Sequence, residues 1–224
     1  MQNTWSIFED RKNEIEFYYS IMVEINNESE IIRTVDNRRF FKICKSNLIL
    51  MLYNLVEACT VNGMLEIYDS LKEEQCSYDE VIDEIKNIWT KSKISEIYGP
   101  TTAQATYENR IKEVINDITN EAPIKLTRNA LGISGNLDAK KIKDICDMHR
   151  IRYRVRTDGV SLKQVKDKRN DLAHGDISFS SCMRDLTIED LGNIKDEVCG
   201  FLSDILEGME KYYDNKLYIN QNRR

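Results

Sequence analysis

The chain has 224 residues, of which 32 are Lys or Arg and 38 are Asp or Glu, giving a formal net charge of −6. Charged residues make up 31% and hydrophobic residues 41%, with nine glycines and two prolines, a mix typical of amphipathic helices and not of a β-sandwich or a disordered chain. The negative charge argues against a general nucleic-acid coat protein. We therefore predict an all-α helical bundle that forms a single domain over residues 1–224.

The cellular location of the protein and the redox state of its cysteines are predicted from three features: the N-terminus, the apolar runs and the cysteine spacing. The chain opens Met-Gln-Asn-Thr-Trp, with acidic residues soon after, which is unlike a secretory signal. The most apolar stretch, Leu48 to Tyr53, is far shorter than a membrane span. None of the six scattered cysteines forms a C-x-x-C pair, which favours free buried thiols. We expect a cytoplasmic protein with no membrane association.

Two long helices are predicted in the first third of the chain. The first runs from about Trp5 to Asn26, with Phe8, Ile15 and Met22 on its apolar side. The second, from Phe40 to about Leu71, is apolar around most of its circumference, so it should be the buried central helix.

Two residues of this central helix carry separate expectations. We expect Gly63 to bend or end the helix. Glu57 interrupts the apolar pattern and should pair with a basic residue, for which Arg169 is one candidate.

A helical insertion in the bundle is predicted over residues 77–122. Ser77 and Glu80 have capping-box spacing and should open one helix. A connection from Lys91 to Thr102, containing Gly99 and Pro100, should follow it. A further helix is expected from about Ala103 until shortly before Pro123.

The next part of the chain is basic. Asp138 should cap a helix through about His149, and residues 151–156 then alternate apolar residues with arginine, which leaves open a short strand, an extended edge segment or a small hairpin. Eleven Lys and Arg face only four Asp between residues 140 and 169. Such a segment can guide a polyanion, although a solvated charged surface is an equal alternative. The residues predicted to bind RNA are Arg152, Arg154, Arg156, Lys166 and Lys168.

The run KRNDLAHG at 168–175 contains side chains that are suited to catalysis and that helix formation does not require. Arginine is a forked, permanently charged donor for phosphate oxygens, and histidine exchanges a proton near neutral pH. A helix from about 161 to 174 should end at Gly175. On that helix Arg169 and His174 lie about 140° apart, so a working site requires the helix to unwind at Gly175 or a second copy of the chain to complete it. The structural alternative is a surface ion-pairing arginine and a histidine favoured by the helix dipole.

Three segments together resemble a known superfamily. The runs LYNLVEA at 52–58, GNLDAKKI at 135–142 and RNDLAHGDISF at 169–179 resemble the stand-alone bacterial host-defence type of the HEPN superfamily, with its R-x4-6-H motif. The resemblance covers nearly the whole chain. It implies a metal-independent ribonuclease of a defence or toxin–antitoxin system.

The resemblance also implies roles for residues and partners. Arg169 and His174 would be catalytic, with Asn170 orienting the imidazole or contacting phosphate. Two motifs would face each other across a homodimer, and an antitoxin or regulatory protein would be a further partner. Asp176 stands where related toxins have the tyrosine that nucleotidyltransferase antitoxins modify, which puts that form of control in doubt.

No metal or other cofactor is predicted. Cys146 and His149 are three residues apart on a predicted helix and could share a metal, but no second ligand pair has suitable spacing. Two other functions stay open beside the ribonuclease. One is a module that holds RNA or a nucleotide without cutting it, and the other is a partner-binding subunit of a toxin–antitoxin pair.

Overall fold

The computed structural model describes residues 1–28, 35–97, 104–133 and 135–221. These residues form eight α-helices, a short 3-10 helix at Arg128–Leu131, and no β-strand, which confirms the all-α prediction. The α-helices are α1 (Gln2–Asn27), α2 (Val35–Glu73), α3 (Asp83–Ile97), α4 (Gln104–Thr119), α5 (Ala139–Met148), α6 (Val160–His174), α7 (Phe179–Cys182) and α8 (Ile188–Asp214).

The central helix is α2, which packs against α1, α6, α7 and α8. Leu48, Leu52 and Leu55 are fully buried, as the broad apolar surface predicted. By length and composition Asp36–Glu73 is apolar enough to cross a membrane, with a best-window mean hydropathy of 1.5, and 61% of that window is buried inside the bundle. The sequence prediction considered uninterrupted apolar runs, such as Leu48 to Tyr53, whereas this mean hydropathy is averaged over a window that includes scattered polar residues.

Gly63 does not end α2, which continues to Glu73, so the part of the prediction that placed a helix end here was wrong. It lets α8 approach, since a Cβ at this position would lie 2.8 Å from Sδ of Met209. Glycine here serves close helix packing, which a local breaker rule does not anticipate.

The segment 77–122, predicted to be a helical insertion, differs from its prediction at two helix boundaries. Ser77 donates from N and Oγ to Oε2 of Glu80 at 2.8 and 2.9 Å, but these bonds close a turn, and α3 begins only at Asp83. Its last residue is Ile97, so the first part of the expected connection is helical, while Gly99 and Pro100 lie outside the described residues.

The two helices of the segment 77–122, α3 and α4, pack unequally. An ion pair of 3.2 Å between Lys93 and Asp117 joins α3 to α4. On α4, Val114 and Ile118 pack against the core, whereas Tyr107 and Ile111 are exposed. The amphipathic pattern of α4 is therefore only half buried in the described part of the chain.

Residues 151–156 form an irregular extended segment that lies along α8. Ile151 is buried and the three arginines are exposed, so the alternating sequence pattern correctly indicated which side chains face solvent. No strand pairing accompanies this pattern in the described chain. The carbonyl oxygen of Arg152 would lie 2.7 Å from a Cβ on Gly208, and Arg156 pairs with Asp204 at 2.7 Å.

The helix that carries the motif, α6, is fixed at both ends by left-handed glycines. Gly159 precedes it with φ of 72°, and Gly175 follows it with φ of 77°. Leu162, Val165 and Leu172 anchor its inner side. The segment after Gly175 is held against α2, because Oγ of Ser46 donates to the carbonyl of Phe179 at 2.6 Å.

Candidate active site

His174 is the last residue of α6, and its side chain is exposed. The helix stays regular through this residue, and the Gly175 N–H bonds back to carbonyls of the last turn, Asp171 and Leu172. The helix therefore does not unwind before His174. Because the helix is regular, Arg169 and His174 project about 140° apart, and one copy of α6 does not direct both side chains to the same side.

Arg169 points across α2 and is half-buried. Its Cζ lies 4.5 Å from the ring centroid of Tyr53, and Nη1 donates to the carbonyl of Gly135 at 3.4 Å. Stacking on an aromatic ring holds the plane of a guanidinium while its outer N–H groups stay available to acceptors.

Tyr53 also fixes the loop that contacts Arg169. Its hydroxyl donates to the carbonyl of Gly135 and accepts from the N–H of Leu137 at 3.3 Å. Burial raises the pKa of this hydroxyl, so it stays protonated and able to donate at neutral pH. One tyrosine thus couples the motif arginine to residues 135–137.

Asn170 contacts Arg169, and its amide has no hydrogen bond to His174 within the described residues. Its Oδ1 accepts from Nη1 of Arg169 at 3.0 Å, and its Nδ2 donates to Oδ1 of Asn136 at 2.7 Å. The expected role in orienting the imidazole does not correspond to these contacts, which instead hold the guanidinium in place.

A cavity of about 460 Å³ lies beside Arg169, between α1, α2 and the 3-10 helix. We call it the arginine cavity, because Arg11 and Arg128 line it together with Arg169. Glu57, also in its wall, pairs with Arg128 at 3.0 Å. The suggested pairing of Glu57 with Arg169 is therefore wrong, since Arg128 from the 3-10 helix takes this carboxylate.

The predicted RNA-binding arginines lie away from the motif. Arg156 precedes α6 by four residues and His174 ends it, so the length of that helix, about 21 Å, separates them along its axis. The guanidinium of Arg156 is held by Asp204. Arg152 lines a different cavity, of about 380 Å³, with Arg150 and the C-terminal segment, and Arg154 is exposed on the same extended segment.

The two predicted RNA-binding lysines are closer to the motif but engaged in ion pairs. Lys166 contacts Asp138 at 2.8 Å, and this hydrogen bond raises the pKa of the lysine. Lys168 contacts Asp171 at 3.1 Å. Ion pairs therefore offset much of the positive charge counted along residues 140–169, and its arginines and lysines are spread over several surfaces.

A family model, described as HEPN_MAE_28990-like HEPN, matches residues 3–218. The chain belongs to the HEPN superfamily. HEPN domains are generally ribonucleases or nucleotide-binding modules. Comparisons with curated proteins and with solved structures gave no significant match.

The other histidine of this HEPN domain, His149, is a core residue. His149 is fully buried, with Nδ1 on the carbonyl of Ile145 and Nε2 on the hydroxyl of Tyr68, both at 2.7 Å. Desolvation lowers its pKa to about 4, so the imidazole is neutral at neutral pH. Because both ring nitrogens are engaged, His149 has no nitrogen free for a metal. Within the described chain, no group of three or more His, Cys, Asp or Glu is arranged to hold one.

Four residues of the candidate site were not singled out from the sequence: Arg11, Tyr53, Arg128 and Asn136. Tyr53 and Asn136 fall inside the runs LYNLVEA and GNLDAKKI, which carried the resemblance, so these runs were a usable signal. Arg11 and Arg128 lie outside them, and only the folded chain brings the two to Arg169.

Proposed function

We propose that this HEPN protein is a metal-independent endoribonuclease of a defence or toxin–antitoxin system. The observation that carries the proposal is the environment of Arg169. Its guanidinium is stacked on Tyr53, braced by Asn170 and Gly135, and directed to a cavity, with no carboxylate within ion-pair distance among the described residues. Arg156 and Arg128, in contrast, are each held by a carboxylate, of Asp204 and Glu57 respectively.

The proposed reaction is attack of the RNA 2′-hydroxyl on the adjacent phosphate. The O2′–P bond forms and the P–O5′ bond breaks, leaving a 2′,3′-cyclic phosphate and a 5′-hydroxyl. His174 acts as general acid or base, transferring the proton that O2′ loses or that O5′ gains. Arg169 donates to the phosphoryl oxygens, where negative charge increases in the transition state.

The active unit in this proposal is a homodimer. The regular helix directs Arg169 and His174 to different sides of one protomer, so the proposed site pairs Arg169 of one protomer with His174 of the other. Two equivalent sites result from the two-fold relation. Asp176 stands near this site, so an antitoxin would restrain the enzyme by binding and not by modifying a tyrosine at this position.

A test uses a short labelled RNA, incubated with the purified protein in excess EDTA. We expect cleavage that yields 2′,3′-cyclic phosphate ends. A matched oligonucleotide with 2′-deoxyribose at every cut position should remain intact, because it lacks the nucleophile. Cleavage of the deoxy oligonucleotide, or dependence on a divalent ion, would contradict the proposed chemistry.

The second candidate is a HEPN module that holds RNA or a nucleotide without cutting it. The separation of Arg169 and His174 on α6 favours it, since binding does not need both groups at one phosphate. Binding without cleavage in the same EDTA assay would support this alternative.

A further inference from the structure

The arginine cavity has more positive charge than its local structure requires. Three separate elements each contribute a guanidinium: α1 supplies Arg11, the 3-10 helix supplies Arg128, and α6 supplies Arg169. Of the residues that the structure describes, Glu57 is the one acidic residue that lines it, and it offsets the charge of Arg128. The remaining positive charge on one concave surface favours the binding of an anion.

Arg11 has no carboxylate within ion-pair distance among the described residues. Its Nη1 donates to the main-chain carbonyl of Asn54 at 3.1 Å, which fixes the side chain across the groove between α1 and α2. Arg11 also lines an adjoining cavity of about 550 Å³ together with Asp10 and Glu14, and neither of these carboxylates lines the arginine cavity. Arg11 therefore has donor groups available to a ligand.

We propose that the arginine cavity is a substrate subsite, in which Arg11 and Arg128 bind RNA phosphates flanking the one that is cleaved. This inference rests on the proposed function, because Arg169 serves both the flanking subsite and the reaction. Forked guanidinium groups match phosphate oxygens, and contacts of this kind position the strand without selecting a base. The subsite extends the bound RNA from the motif towards α1.

Glu57 has a defined part in this subsite. In the free protein its carboxylate accepts from Arg128 at 3.0 Å and occupies the donors that a phosphate would use. Bound RNA competes with Glu57 for Arg128 and has to overcome the repulsion of that carboxylate. Removing the negative charge therefore favours the bound state.

The experiment measures binding of a short, uncleavable 2′-O-methyl RNA by fluorescence anisotropy at several salt concentrations, with the full chain. We expect Arg11→Ala and Arg128→Ala each to weaken binding by about ten-fold and to reduce the salt slope by about 0.7, the loss of one phosphate contact on a single strand. Glu57→Gln should tighten binding by roughly three-fold. The matched control is Arg110→Ala, which removes an exposed arginine from α4.

The outcomes separate this inference from the proposed function. If the parent binds RNA, the variants change binding as expected, and no RNA is cut, the arginine cavity stands as an RNA-binding site. The nuclease proposal, and with it the cleavage role of the subsite, then falls. If the parent cuts RNA while Arg11→Ala and Arg128→Ala keep its affinity and slope, the subsite is overturned. If Arg110→Ala weakened RNA binding as much as Arg11→Ala, the subsite would also be overturned, because the effect would then reflect the overall charge of the protein. Absence of any RNA binding by the parent overturns it as well.

Discussion

Replacing His174 with alanine is expected to lower the rate of RNA cleavage by about 10²–10⁴-fold, the usual contribution of general acid–base catalysis. Arg169→Ala should cost about 10²–10³-fold through lost stabilisation of the phosphoryl charge. His174 is exposed at the end of α6, so its removal should leave the melting temperature near that of the parent. The measurement is single-turnover cleavage of labelled RNA, with melting curves of each variant.

Removal of a positive charge outside the motif is the control for these variants. Arg110→Ala should retain the cleavage rate of the parent, because Arg110 is exposed on α4. Arg169→Lys should recover only part of the lost rate, since lysine keeps the charge but lacks the fork. Cleavage at the parent's rate by both Arg169→Ala and His174→Ala would remove the motif from the mechanism.

Gly159→Ala is expected to lower the free energy of unfolding by about 2–4 kcal/mol, the combined cost of a left-handed alanine and of overpacking. Gly159 has φ of 72°, and a Cβ would lie 2.7 Å from Cβ of Ala139 and 2.9 Å from Cδ2 of Phe201. The strain falls where α6 begins, against α5 and α8. Denaturant unfolding measures the change.

Gly132→Ala is the matched control for the packing part of this effect. Gly132 also has a positive φ, of 58°, but nothing lies within 4 Å of its Cβ position. Only the backbone cost, about 1–2 kcal/mol, applies there. If the two variants lost the same free energy of unfolding, the close contacts around Gly159 would have to relax at no cost in stability.

Helix ends with a local chemical signal could be predicted from the sequence. Asp138 accepts from the N–H of Lys141 at 3.0 Å and caps α5. Thr187 and Asp190 form the reciprocal capping box of α8. Gly175 ends α6 in the left-handed conformation. In each case the residue that determines the boundary lies within four residues of it, so the local sequence alone identifies it.

The incorrect predictions have non-local causes. Ser77 and Glu80 form one bond of a capping box, from the Ser77 N–H to the Glu80 carboxylate, but they do so in a turn. The N–H groups of Ile124 and Asn220 bond to the carbonyls of Cys76 and Glu80 and hold this segment outside a helix. Gly63 stays helical because α8 packs onto it. Glu57 pairs with Arg128, 71 residues away, a partner that no local pattern specifies.

The candidate site was predictable only as far as its motif. The spacing of Arg169 and His174 on a regular helix already implied that they diverge, and α6 has the expected bounds within one residue. The cation–π contact with Tyr53 and the bond from Asn170 to Asn136 could not be derived, since they join α6 to α2 and to the loop before α5, and no local sequence pattern specifies these contacts. The arginine cavity depends on four elements and required the fold.

The most direct test of the central claim uses heterodimers purified through two different affinity tags. If Arg169 of one protomer works with His174 of the other, a dimer of one Arg169→Ala chain and one His174→Ala chain retains one intact site of two. It should show about half of the parent's cleavage rate. A dimer of one parent chain and one chain carrying both substitutions should then be inactive. An inactive first dimer and a half-active second would contradict the account, because both groups would then act within one protomer.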